Sequence, residues 1–100
     1  MTNHFNKLTE GQAERLALLA EECGEVIQAV SKILRHGLDS VNPLAIDDNP
    51  VTNQMLLEKE LGHVVCAMRK LRHAGDVRES QIERSADDKA VKIKRWLHHQ

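Results

Sequence analysis

The chain has 100 residues, enough for one domain whose modest core would gain from self-association. Apolar residues make up 41% and charged residues 29%, while Phe, Trp and Tyr together supply only 2%, so the core must be aliphatic. A net charge of -1 with a pI near 6.6 leaves no broad basic face for duplex nucleic acid, and no apolar run is long enough to span a membrane.

The opening "MTNHFNKLTE" carries no signal-peptide apolar core, so a soluble, cytoplasmic protein is expected. Thr9 followed by Gln12 has capping-box spacing and predicts a first helix over Glu10 to His36, stopped by Gly37. Its apolar positions include Leu16, Leu19, Cys23, Val26, Ile27, Val30, Ile33 and Leu34. The following "GLDSVNPLAIDDNPV" is rich in Pro, Asp and Asn and predicts a long loop with room for one helical turn. Thr52 or Asn53 can cap a second helix, in which Leu57, Leu61, Val64, Val65, Met68 and Leu71 keep helical spacing up to "HAGD". Asp76 and Glu79 then form another capping-box pattern, opening a third helix that carries Ile82, Ala86, Ala90, Ile93 and Leu97. The lone Trp96, at helical spacing, reads as a core residue, and Cys23 and Cys66 read as small buried residues in a reducing compartment. No alternating strand pattern and no repeat occurs. The expected fold is all-α: one domain over residues 1–100, a bundle of three long helices with room for a short fourth, completed by homo-oligomerisation.

Two helices break their apolar pattern with charge. "EECGEV" places three carboxylates, Glu21, Glu22 and Glu25, in a five-residue span, and "EKELGHVV" adds Glu60 and His63. At about 100° per residue, Glu22 falls between Leu18 and Ala29 on one side and Val26 and Ile33 on the other. It points along the apolar face, with Glu25 about 60° round at its margin and Glu21 further toward solvent. Glu60 falls near Ala67 and Leu71, and His63 near Leu56 and Ala74. An unpaired buried carboxylate is costly, so several together call for a common cation, and oxygen ligands suit a hard divalent ion such as Mg²⁺.

At these residues the sequence resembles the all-α nucleoside triphosphate pyrophosphohydrolases, the MazG-like group that includes dimeric dUTPases. "EECGEV" and "EKELGHVV" look like its E-x-x-E and E-x-x-D halves, and "KILRHGLDSVNP" and "TNQMLLEKELG" extend the likeness to small phage-type members over nearly the whole chain. The resemblance implies a helical homodimer or dimer of dimers. It also implies Mg²⁺ held by Glu22, Glu25, Glu60 and His63, and cleavage of a nucleotide between the α and β phosphates. Glu21 or Glu25 would orient or deprotonate the attacking water. Lys89, Lys92 and Arg95 of the third helix resemble the family's phosphate-contacting cations. Lys32, Arg35 and His36 have an ordinary explanation at a helix C-terminus.

His63 stands where the family has Asp. Imidazole brings no negative charge and suits Mn²⁺ or another transition metal better than Mg²⁺. Two other readings stay open on the sequence: a metal-free or inactive regulatory bundle, favoured by His63, and a di-iron-type carboxylate bundle, for which E-x-x-H is the right spacing but occurs only once. No local pattern marks a purine or pyrimidine pocket; the loop Gly37 to Val51 or a second subunit would have to supply it.

Overall fold

A computed structural model describes residues 5–44 and 49–100, and what it describes is all-helical apart from one isolated bridge between Val41 and Thr52. Helix α1 runs Glu10–His36, α2 Asn53–His73 and α3 Glu79–Lys92, the last tightening into a 3₁₀ turn over Ile93–Arg95. The first helix begins where its capping box predicts. The Thr9 hydroxyl accepts from the Gln12 N–H at 3.1 Å, and the Gln12 side chain accepts from the Thr9 N–H at 2.9 Å. It ends at Gly37, whose φ of +89° lets its N–H bond Ile33 O at 2.7 Å. Of the two candidate caps for α2 the chain uses Thr52, whose hydroxyl accepts from the Met55 N–H at 3.1 Å.

Asp76 does not cap α3 as its spacing suggests. Its carboxylate is taken by Arg15 of α1, which donates from Nε at 2.6 Å and from Nη2 at 3.2 Å. A two-pronged, charge-assisted contact outcompetes a single cap bond. The helix opens instead at Glu79, after Arg78, which offers no side-chain cap.

Helices α1 and α2 pack as an antiparallel hairpin. Arg15–Asp76 ties its open end, and at the closed end the Asn53 side chain donates to Gly37 O at 3.1 Å. Ala29, Ala67 and Leu71 are buried between them, with Asn53 at the closed end. The inward line of α2, residues Asn53, Leu57, Glu60, Val64, Ala67 and Leu71, repeats every seven residues, as helices crossing at a small angle require. Helix α3 packs extensively on neither partner, and of its apolar stripe only Ile82, together with Ile93 just beyond it, is half-buried.

A second apolar line is left uncovered. On α1, Leu16, Ala20, Cys23, Ile27, Val30 and Leu34 also follow a seven-residue repeat, about 100° round from the buried line. All six are exposed, Ile27 at 66% and Leu34 at 81%. Leu61, Val65 and Met68 form a matching exposed stretch on α2. Cys23 and Cys66 are therefore exposed rather than buried, Cys23 because it lies on this outer line and Cys66 because it faces away from α1. Trp96, expected in a core, is 76% exposed, for the segment carrying it packs extensively on neither α1 nor α2 among the described residues. The radius of gyration is 17.6 Å, against about 13 Å for a compact chain of this length. The accessible surface of 8486 Å² is about half as much again as a folded monomer of this mass presents. Among the described residues no helix is long and apolar enough to cross a membrane.

Candidate metal centre

The antiparallel pairing of α1 and α2 sets Glu22 and Glu25 opposite Glu60 and His63. On each helix the two residues are three apart, hence on one face a turn from one another. One ligand atom from each of the four side chains lies within 4.8 Å of all the others. His63 Nδ1 stands 3.3 Å from Glu22 Oε2 and 3.3 Å from Glu60 Oε2. Those contacts lack hydrogen-bond alignment, for both carboxylate oxygens are buried without a hydrogen-bond partner among the described residues. The Glu22 and Glu60 side chains are 15% and 13% exposed and His63 is 48% exposed, so the imidazole stands at the mouth of the cluster. Glu21 is exposed on α1 beside it and is not one of the four.

Two oxygens stripped of water and left unpartnered are an expensive arrangement unless a cation completes them. The donor set fits such a cation. Atoms bound to one ion at about 2.1 Å stand at most about 4.2 Å apart, and at about 2.4 Å at most about 4.8 Å, so the observed spread corresponds to a single divalent ion with little adjustment. Three carboxylates and one imidazole suit Mg²⁺ less well than Mn²⁺, because of the nitrogen.

The cluster already handles charge unequally. The Glu25 carboxyl is held above its usual range, first by its hydrogen bond to Glu60 and then by the negative charges of Glu60 and Glu22. Glu60 is held below its usual range, first by that same hydrogen bond and further by His63 and Lys59. The two shifts are opposite, as adjacent carboxylates that resist carrying two negative charges at once require.

A cavity of about 400 Å³ opens beside the cluster, lined by Glu25, Glu60 and His63 together with Gln28, Lys32 and Lys59. Among the described residues, the lysines that line this cavity are Lys32 and Lys59. Lys32 lies seven residues beyond Glu25, two turns along the same line of α1, a signal masked by the readiness with which a helix C-terminus accounts for any lysine. Lys89 and Lys92 sit on α3 and Arg95 on the 3₁₀ turn, and none of them lines this cavity. Comparison of the chain with protein-family models, curated proteins and solved structures returned no match.

Proposed function

We propose that the protein is a MazG-like, metal-dependent nucleoside triphosphate pyrophosphohydrolase, cleaving a (d)NTP between the α and β phosphates to a monophosphate and pyrophosphate. The observation that carries this reading is the convergence of Glu22, Glu25, Glu60 and His63, with two buried carboxylate oxygens left without partners. The order of the motifs along the chain supports it. Glu22, Glu60 and His63 would hold a divalent ion together with Glu25. Such an ion, when bound, neutralises phosphate oxygens and acidifies an attacking water.

The chain's own groups divide the remaining work. Glu25, or the exposed Glu21 beside it, orients the attacking water and takes its proton as the water oxygen bonds to phosphorus. The bridging oxygen leaves with the pyrophosphate, whose growing negative charge is met by Lys32 and Lys59 at the cavity wall. Lys89, Lys92 and Arg95 would take part from a second copy, since among the described residues α3 packs extensively on neither helix of its own hairpin. The oligomer belongs to the same proposal: a second copy would cover the exposed lines of α1 and α2 and bring the chain's surface down to that of a folded protein.

A metal-free regulatory bundle is the second reading, and one observation favours it. The position of His63 Nδ1 between Glu22 and Glu60 would let an imidazolium serve as the counter-cation itself. Incubating the purified protein with each (d)NTP and Mg²⁺ or Mn²⁺ separates the two. Monophosphate and pyrophosphate are expected in equal amounts. Release of single phosphate, or no turnover with either ion, would count against the enzyme.

A further inference from the structure

We infer that the cavity at the closed end of the hairpin receives the nucleoside half of the substrate, with Lys32 at the junction between nucleoside and phosphates. This rests on the nucleotide reading above and adds to it where the base and sugar go. The cavity, about 760 Å³, lies between the end of α1, the chain after Gly37 and the start of α2. Lys32 and Leu56 line both this cavity and the one beside the cluster, so the two are neighbours along one side of the hairpin. The size of the closed-end cavity falls in the range that takes a small organic ligand.

That side of the hairpin changes character along its length. At the cluster it is lined by the carboxylates of Glu25 and Glu60; at the closed end no carboxylate lines it among the described residues, Val41, Val51 and Leu56 supply aliphatic wall, and Arg35 and His36 add flat polar groups. A nucleotide has a matching division, with a polyphosphate that binds a metal ion and a base and sugar that do not. Neither Phe5 nor Trp96 lines the cavity, so a base would lie against aliphatic side chains, the flat guanidinium of Arg35 and the imidazole of His36.

Asn53 gives the cavity a means of reading a base. It is 9% exposed and lines the wall, and its Nδ2 donates to Gly37 O at 3.1 Å, which fixes the amide. One N–H and the Oδ1 acceptor remain, a pair that matches any ring edge with a donor beside an acceptor. An amide fixed before the ligand arrives selects among edges without losing side-chain entropy.

The test is amide NMR of the full chain in Mg²⁺, with α,β-methylene analogues of the adenine, guanine, cytosine and uracil nucleoside triphosphates and, separately, inorganic triphosphate. At least one nucleotide analogue should shift the Val41, Val51 and Asn53 amides, which inorganic triphosphate leaves in place, while both probes shift those around His63. Val51→Trp, at an exposed loop position, should weaken binding of that analogue about tenfold or more and leave its affinity for inorganic triphosphate unchanged. Nucleoside-dependent shifts confined to α3, or undiminished analogue affinity in Val51→Trp, would overturn the assignment. Paramagnetic broadening by Mn²⁺ reports separately on the metal reading. If the Glu22 and Glu60 amides stay sharp while the cavity amides still respond to nucleotide, the cavity assignment stands and the metal assignment falls.

Discussion

His63 Nδ1 lies 3.3 Å from Glu22 Oε2 across the α1–α2 interface, joining residues 41 apart in sequence without forming an aligned hydrogen bond. The imidazole stands among three carboxylates but brings no negative charge to them. His63→Asp should therefore strengthen Mg²⁺ binding, on the order of tenfold, because affinity for a hard cation rises with the number of charged oxygen ligands. Mg²⁺-dependent release of pyrophosphate should rise with it. Isothermal titration with MgCl₂ is the measurement, and an affinity equal to that of the unaltered protein would show that position 63 does not contact the ion.

Glu22 should reverse its effect on stability when metal is added. Without an ion, its buried Oε2 lacks a partner, so Glu22→Met, similar in shape and apolar, should stabilise the metal-free protein by about 1 kcal/mol. With saturating Mn²⁺ the order should invert, since only the unaltered protein gains from binding. Thermal melts with and without Mn²⁺ read both. A variant less stable than the parent in chelator would mean that the carboxylate already has a partner.

Asp76 sets the acid limb of stability. The Arg15 guanidinium, through its hydrogen bond and charge, holds the Asp76 carboxyl below the ordinary aspartate value of 3.8. A depressed carboxyl contributes stability that is fully present above its unfolded value and is lost as pH falls through the folded one. The protein should therefore weaken progressively below about pH 4. Asp76→Asn should be less stable than the parent at pH 7, and the gap should close as the pH approaches 2. Urea titrations across that range decide it; parallel curves for the two proteins would sever the link to Asp76.

These cases show how far the sequence reaches. Local signals carried well: Thr9, Gln12 and Gly37 bound α1 where expected, because a cap is settled within one turn of chain. The inward direction of Glu22 and Glu60 was legible from helical angle alone. Asp76 misled because its partner, Arg15, lies 61 residues away and no local spacing announces it. Cys23 misled for a related reason. It belongs to an apolar line as regular as the buried one, and periodicity marks a face for burial without saying whether the cover comes from the same chain. Lys32 went unread at the centre because its place near a helix end already accounted for it.

The uncovered line on α1 leads to a prediction about assembly. Light scattering during size-exclusion chromatography should give a mass that is a small multiple of 11.3 kDa. Ile27→Glu, which would place a charge within that line, should weaken self-association about thirtyfold or more, as loss of a central interface contact does. Its effect on a chain that is already monomeric would be slight, since Ile27 touches little within the protomer. If phosphate-binding cations come from a second copy, two inactive variants should repair one another. Glu22→Gln lacks the metal ligand, and a Lys89→Ala, Lys92→Ala, Arg95→Ala triple variant lacks the cations. In a twofold dimer with each site shared between subunits, a mixed pair has one doubly damaged site and one intact site. Equal mixing after exchange should therefore restore about a quarter of the parent activity. Mixtures that form mixed pairs yet stay inactive would exclude a site shared between subunits, whereas a triple variant as active as the parent would place Lys89, Lys92 and Arg95 outside the reaction, leaving Lys32 and Lys59 to meet the pyrophosphate.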